Sequence, residues 1–284
     1  MARTLSAKPV VARMTADSLA RASELSREGR QPTLAIIRVG ENPDGLSYER
    51  GAAKRCAASG VAVESIALPA DCSQGDVMDA IARVNADPSV HGCLLLRPLP
   101  AGLDEDAACS ALDPSKDVDG ITSGSLLGVL TGGGGGFPPC TAEACLRILD
   151  HYGIGVAGKH VVVVGRSLVV GKPVSMMLQA RDATVTMCHS RTRNLPGLCR
   201  SADILVVAAG CMRMIGPDCV CSGQVVVDVG INWDDAAGKL AGDVDFDAVE
   251  PLVDAITPVP GGVGAVTTAV LVAHVVQAAG RITP

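Results

Sequence analysis

Residues 160–171 read HVVVVGRSLVVG, in which four successive valines end at Gly165 and a second glycine follows at Gly171. A short β-branched run of this kind predicts a buried strand, and the glycine-containing segment after it predicts a tight turn into a helix. Such a turn directs backbone N–H groups and the positive end of the helix to one point, which favours phosphate binding. The spacing is not G-x-G-x-x-G, so the stretch alone also fits a turn that holds no ligand.

The segment that follows the next predicted strand indicates which dinucleotide would bind. The strand predicted at 183–187 is followed by Cys188 and His189, and then by Ser190 and Arg191. Domains that bind NAD place an acidic residue near this point for the ribose hydroxyls, whereas serine and arginine suit a 2′-phosphate. With Arg166 in the first turn, the sequence favours NADP as the cofactor and leaves NAD as the alternative.

Strand-like and helix-like segments alternate on both sides of this stretch. Their short connections predict βαβ units, parallel sheets and an α/β fold. A turn is predicted at 42–45, and a flexible loop at 120–139, which contains the five glycines Gly132–Gly136. The predicted strands are 33–39, 61–68, 92–96, 160–164, 183–187, 204–208 and 225–229, and the predicted helices are 46–59, 76–86, 142–152, 171–180 and 264–279.

Composition narrows the class of protein. The 284 residues suffice for about two domains, and 48% are hydrophobic, so a sizeable core is expected. A net charge of -6 and only five aromatic residues argue against a nucleic-acid partner. No apolar run reaches the length of a membrane span, and no signal peptide is recognisable at the start. The 11 cysteines contain no C-x-x-C pair, which predicts reduced thiols, no metal site and a cytoplasmic location.

Several short segments occur together in the order that is typical of one family. With them, the chain resembles the methylenetetrahydrofolate dehydrogenase/methenyltetrahydrofolate cyclohydrolase family over nearly its whole length. Lys116–Gly120 and Ile256–Gly264, which taken alone fit ordinary turns, gain a meaning from this context. The segments are Asn42–Tyr48, Lys116–Gly120, Pro139–Thr141, Val164–Pro173, Cys188–Thr192, Asp228–Asn232, Gly242–Val244 and Ile256–Gly264.

The resemblance implies two α/β domains with a cleft between them. Residues 1–140 would form a folate-binding domain, completed by a C-terminal helix of about 265–284, and residues 141–264 a Rossmann-like NADP domain with a mostly parallel sheet. It also implies a homodimer. Members of the family oxidise 5,10-methylenetetrahydrofolate by hydride transfer to the nicotinamide, and most then hydrolyse the methenyl product.

The resemblance also assigns roles to individual residues. Tyr48 would pack along the folate, and Asp119 would hydrogen-bond the pterin. The other substrate-binding positions would be Pro98, Gly262 and Val263, and those of the cofactor Gly165, Arg166, Ser167, Ser190, Arg191 and Ile231.

The chain departs from the family on the folate side. The family carries Tyr-x-x-x-Lys and V-Q-L-P-L-P, and here Ala52 stands at the lysine position and Leu96 at the glutamine position. Because these groups would activate water, we expect weak or absent cyclohydrolase activity. Arg50 and Lys54 lie about 200° round the helix from Ala52 and should face away.

One further residue could supply the missing charge. Strand alternation would send Arg97 to the face opposite Leu96, but the adjacent Pro98 interrupts that pattern, so Arg97 is a candidate replacement cation. Two other functions stay open: a nucleotide-binding homologue without catalysis, and a dehydrogenase that acts on another pteridine one-carbon carrier.

Overall fold

The computed structural model describes residues 2–133 and 135–281, apart from the Asp44 side chain. The chain divides into two compact units. The first comprises the residues up to Val11 with Thr141–Thr267, and the second comprises Ala12–Cys140 with the residues from Thr268 onward.

Helices and strands alternate through most of both units. The helices are α1 (Ala7–Arg27), α2 (Pro43–Ala58), α3 (Gln74–Ala86), α4 (Glu105–Ala111), α5 (Ser123–Thr131), α6 (Cys140–His151), α7 (Gly171–Gln179), α8 (Leu195–Arg200), α9 (Phe246–Val249) and α10 (Val263–Arg281). The strands are β1 (Arg3–Thr4), β2 (Thr33–Val39), β3 (Ala62–Leu68), β4 (Gly92–Leu95), β5 (His160–Val164), β6 (Thr184–Cys188), β7 (Ile204–Val207), β8 (Val225–Asp228), β9 (Asn232–Asp234), β10 (Lys239–Ala241) and β11 (Ala255–Ile256).

The first unit contains a six-stranded parallel sheet in the order β1-β11-β8-β7-β5-β6, and a separate antiparallel hairpin of β9 and β10. Val161–Val164 in the middle of the sheet are buried, as expected for a strand covered on both faces. The chain continues from β5 to β6 on one side and returns to β7 on the other. The carboxyl ends of β5 and β7 therefore form a topological switch point, where α/β sheets bind ligands.

The second unit repeats this arrangement on a smaller scale. Its sheet is parallel and three-stranded in the order β3-β2-β4, so the switch point lies between the carboxyl ends of β2 and β4. A bond from the Leu96 amide to the Ile37 carbonyl, 2.9 Å long, continues this pairing just beyond β4. The predicted α/β class, with a mostly parallel sheet in the Rossmann-like part, is confirmed.

Helix α10 is the one described helix whose length and composition would allow it to cross a membrane. However, 67% of the qualifying window is buried inside the protein, as in the core helix of a globular fold. Its β-branched residues do not prevent helix formation because they pack: Val270, Val275 and Val276 are all buried.

Two predictions about local structure are wrong. Residues 42–45 are not a separate turn, because α2 begins at Pro43, whose fixed φ suits a first helical position. The segment 120–139 is not a continuous loop, because α5 occupies Ser123–Thr131, with the Thr122 hydroxyl accepting the Ser125 amide at 3.1 Å. Of the five glycines predicted to form a mobile loop, Gly134 lies outside the described residues, as do residues 282–284 of the predicted final helix.

Candidate functional site

A cavity of about 500 Å³ opens at the switch point of the second unit. The ends of β2 and β4, the start of α2 and Asp119 line it. It brings together five residues that the sequence analysis selected from distant positions: Tyr48, Leu96, Arg97, Pro98 and Asp119. This grouping follows from the topology, because parallel strands deliver their carboxyl ends to the same edge of a sheet.

Tyr48 stands on α2 and is 36% exposed. Desolvation of its hydroxyl raises the pKa of Tyr48 strongly, and the negative charge of Asp119 adds to the increase. The phenol therefore stays neutral throughout the physiological range and offers a hydrogen-bond donor and an aromatic face to the cavity.

The segment Lys116–Gly120 gives each charged side chain a different role. The Lys116 Nζ donates to the carbonyls of Val84 and Asp87, at 2.7 and 2.5 Å, which attaches the segment to α3. The fully buried Asp117 carboxylate accepts from the Ile121 and Thr122 amides and from the Ser125 hydroxyl. Asp117 is thus a structural residue.

Asp119 is the carboxylate of this segment that lines the cavity. Burial raises the pKa of Asp119 to about 6, and the negative charge of Asp117 adds to the increase. Arg97 and a hydrogen bond from Cys140 act in the opposite direction. A carboxyl group with such a pKa is mostly ionised at pH 7 and can accept hydrogen bonds from a ligand.

The two positions that depart from the family differ in their surroundings. Ala52 is fully buried in α2 and does not line the cavity, whereas Leu96 contributes an apolar side chain to its wall. Arg50 and Lys54 are exposed, and neither lines the cavity. At these positions the cavity therefore presents no ammonium or amide group.

Two arginines line the cavity, and both are paired with carboxylates. Arg97 lines it together with Leu96 because β4 ends at Leu95, so strand alternation does not separate their side chains. The Arg97 Nη1 lies 3.6 Å from Glu105 Oε1. Arg38, which the sequence analysis missed, lies with its Nε 3.0 Å from Glu49 Oε2. A charged residue near the end of the apolar run TLAIIRV was the available signal.

The switch point of the first unit carries the turn that follows β5. Gly165 has φ +140, and a Cβ atom there would collide with the Ala208 carbonyl oxygen at the end of β7, so glycine is required. Ser167 caps the turn, its Oγ accepting the Val170 amide at 3.1 Å. Arg166 and Ser167 are exposed in this turn, ahead of the first residue of α7, Gly171.

The end of β6 lies beside this turn. The Gly165 amide donates to the Cys188 carbonyl at 2.9 Å, which joins the ends of β5 and β6. Ser190 and Arg191, just beyond β6, are both exposed. The Ser190 hydroxyl and the guanidinium groups of Arg166 and Arg191 thus lie at one edge of the sheet. This set of donors suits a phosphorylated dinucleotide.

A smaller cavity of about 170 Å³ in the same unit brings Ile231, Gly262 and Val263 together. Buried carboxylates hold its loops. Asp228 accepts the amides of Gly230, Asp243 and Val244, and desolvation raises the pKa of Asp228 to about 6 despite these bonds. The Asp228 carboxylate is therefore a structural group that holds the loop backbone, and the Ile231 side chain is exposed beside it.

Comparison with known proteins assigns both parts of the chain to one family. Residues 5–119 match the catalytic domain, and residues 139–283 the NAD(P)-binding domain, of the family tetrahydrofolate dehydrogenase/cyclohydrolase. A protein of Carboxydothermus hydrogenoformans named bifunctional protein FolD is 50% identical over 279 residues, which cover 98% of this chain and 97% of that protein.

Solved structures show the same similarity. The bifunctional methylenetetrahydrofolate dehydrogenase/cyclohydrolase of Campylobacter jejuni has a TM-score of 0.96 and 37% identity, covering 99% of both chains. The Trypanosoma brucei dehydrogenase-cyclohydrolase, solved with NADP and an inhibitor, has a TM-score of 0.92 and 33% identity, covering 99% of this chain and 98% of the other. The resemblance drawn from the short segments is confirmed.

Proposed function

Because the chain belongs to the tetrahydrofolate dehydrogenase/cyclohydrolase family, we propose that it oxidises 5,10-methylenetetrahydrofolate with NADP in one-carbon metabolism. The observation that carries this proposal is the cavity at the switch point of the second unit, which keeps Tyr48 and Asp119 on its wall. In this proposal, residues 1–140 with the C-terminal helix form the folate domain, and residues 141–264 form the NADP domain.

The cavity residues bind and orient the substrate. The Asp119 carboxylate accepts hydrogen bonds from the N–H groups of the pterin, and Tyr48 packs its ring along the folate. Pro98 adds a contact in the same cavity, and the resemblance also assigns to the substrate Gly262 and Val263, which line the smaller cavity of the first unit. These residues supply alignment rather than acid–base chemistry, which is what hydride transfer demands of a protein.

The edge of the larger sheet fits NADP. Gly165, Arg166 and Ser167 hold the phosphates that join the two nucleotides, Ser190 and Arg191 hold the 2′-phosphate, and Ile231 contacts the nicotinamide end. The exposure of both arginines and the glycine required at position 165 support this assignment. When bound, NADP supplies the acceptor for the hydride.

We also propose that the cyclohydrolase step is weak or lost in this chain. Ala52 is buried away from the cavity and Leu96 offers it an apolar side chain, so the two groups that activate water in the family are missing. Arg97 lines the cavity, but its pairing with Glu105 keeps a second charge beside it. A cation held by a carboxylate is a poor substitute for a free lysine.

Two further expectations belong to the proposal. A homodimer agrees with the hairpin of β9 and β10, on which the paired residues Trp233 and Leu240 are both exposed, Trp233 by 61%. The relatives are metabolic enzymes of folate, so we place the protein in the cytoplasm. Sedimentation of the purified protein tests the dimer.

Two spectrophotometric assays on one purified sample test the function. Reduction of NADP in the presence of 5,10-methylenetetrahydrofolate reports the dehydrogenase, and decay of added methenyltetrahydrofolate above the rate in buffer reports the cyclohydrolase. We expect reduction without accelerated decay. Accelerated decay would contradict the proposed loss of hydrolysis, and its disappearance in Arg97→Ala would identify the replacement group. An absence of reduction with both NADP and NAD would contradict the dehydrogenase and favour another pteridine carrier or a non-catalytic role.

A further inference from the structure

Two buried donors converge on the carbonyl oxygen that precedes Asp119. The Cys140 Sγ donates to the Val118 carbonyl at 3.2 Å, and the His274 Nδ1 lies 2.8 Å from the same oxygen. Because a carbonyl oxygen can only accept, Nδ1 carries the hydrogen of this contact. His274 is 2% exposed and Cys140 is also buried, so water does not compete for the carbonyl.

This contact controls the backbone of Asp119. The peptide unit between Val118 and Asp119 is planar, so an oxygen fixed at one end also fixes the Cα atom of Asp119. The next peptide unit is held as well, since the Cys140 amide donates to the Asp119 carbonyl at 3.4 Å. Gly120 then turns with φ +72 against Pro139, where a side chain would collide with the backbone. Contacts therefore hold both peptide units that flank Asp119.

The imidazole is itself held in place by α10 and the segment before α6. The Phe137 ring stacks on His274 with a centroid distance of 4.7 Å and an interplanar angle of 29°. The Arg281 guanidinium lies 4.1 Å from the centroid of the same ring. His274 and Arg281 are seven residues apart, which places them on one face of α10, so a single helix fixes both contacts of Phe137.

Packing alone does not explain why a histidine occupies position 274. Most of α10 around it is apolar, and a buried imidazole without a partner costs free energy that leucine would not. The hydrogen bond to Val118 offsets this cost and directs the ring at the one peptide unit that leads into Asp119. The conformation of Asp119 thus depends on a side chain 155 residues further along the sequence.

We propose that His274 is a positioning residue for the dehydrogenase reaction, which together with Cys140 fixes the backbone of Asp119 in the geometry that binds the pterin. The proposal rests on the function proposed for Asp119. His274 does not line the cavity, so it acts through the Val118 carbonyl and not on the substrate.

Three variants test this proposal. His274→Leu removes the donor, whereas His274→Asn keeps an N–H bonded to Cγ, as Nδ1 is. His91→Leu is the matched control, because His91 is also buried in the second unit and lines no part of the cavity, but its Nδ1 bonds the Thr33 amide and not a group next to Asp119. The readouts are kcat and KM for 5,10-methylenetetrahydrofolate, the Kd for NADP, and hydrogen exchange of the Gly120 and Cys140 amides.

We expect His274→Leu to lower kcat/KM for the folate at least tenfold and to speed exchange of the two amides at least tenfold, with the Kd for NADP within twofold. His274→Asn should restore both quantities to within threefold, and His91→Leu should leave both unchanged. An asparagine variant as impaired as the leucine variant, or a leucine variant with normal KM and exchange, would overturn the proposal. Should His274→Leu fail to fold, the same comparison can be made at Cys140. Cys140→Ala removes the side-chain donor, and Cys140→Ser keeps one.

The design separates this proposal from the function on which it rests. A wild-type protein that does not reduce NADP with the folate contradicts the proposed function. In that case amide exchange, which needs no substrate, still decides whether His274 holds the backbone at Asp119: faster exchange in the leucine variant alone supports the contact, and equal exchange in all variants refutes it.

Discussion

Replacing Asp119 by asparagine should make the folded protein more stable and lower its enzymatic activity. The pKa of this carboxyl is about 6, roughly 2 units above the ordinary value of 3.8, mainly because burial disfavours the charge. At about 1.4 kcal/mol per unit, the ionised carboxylate costs the folded state roughly 3 kcal/mol. A group that binds a ligand is thus held at the expense of stability.

The sign of the pH dependence follows from the direction of the shift. Below pH of about 4 both the folded and the unfolded states keep the proton on Asp119, and the cost is absent. Between about pH 4 and 6 the unfolded state releases the proton first, so the free energy of unfolding falls as pH rises. The full cost persists above pH 6. Asp119→Asn carries no charge and should therefore exceed the wild type in stability at pH 8, by up to about 3 kcal/mol, and match it at pH 4.5 to within about 1 kcal/mol.

Urea unfolding of both proteins at pH 4.5 and 8 measures this difference, and other carboxyl groups cancel in the comparison. The same variant should lower kcat/KM for the folate about 10- to 100-fold, since a hydrogen bond to a charged group contributes about 1.5–3 kcal/mol. Asp117→Asn is the control. It replaces a carboxylate that accepts three hydrogen bonds, so this variant should be less stable than the wild type. Equal stability of Asp119→Asn and wild type at pH 8, or an equal gain at both pH values, would refute the reasoning.

Three further predictions concern cofactor choice, hydrolysis and the paired cation. Arg191→Ala should raise KM for NADP at least tenfold and leave KM for NAD within twofold; equal effects on both cofactors would remove Arg191 from the 2′-phosphate. The double variant Ala52→Lys with Leu96→Gln should accelerate methenyltetrahydrofolate decay at least tenfold over wild type, and decay at the wild-type rate would show that these positions do not control hydrolysis. Glu105→Gln frees Arg97 from its carboxylate and should lower the pKa of Asp119, observed as an acid shift in the pH profile of kcat/KM; an unchanged profile would contradict the influence of Arg97 on Asp119.

The segments that sequence analysis predicted well are those whose pattern is local. The strand His160–Val164 was predicted with its exact bounds, because four successive valines are buried on both faces of the sheet. Helix α1 was not predicted, although Val10, Ala22 and Leu25 on it are buried. Helix α5 was missed because two glycines and a neighbouring glycine run obscured the capping signal at Thr122.

The amino-acid sequence by itself determined the α/β class, the order of the strands along the chain and the set of short segments that identify the family, because each depends on residues close together in the chain. The tertiary structure gave the physical reason why Asp119, and not Asp117, lines the cavity: Asp117 accepts hydrogen bonds from the Ile121 and Thr122 amides. It also brought Arg38 to the cavity wall and His274 to the Val118 carbonyl. Such contacts join residues that are far apart in sequence, and their geometry follows from how strands and helices pack, which no local pattern encodes.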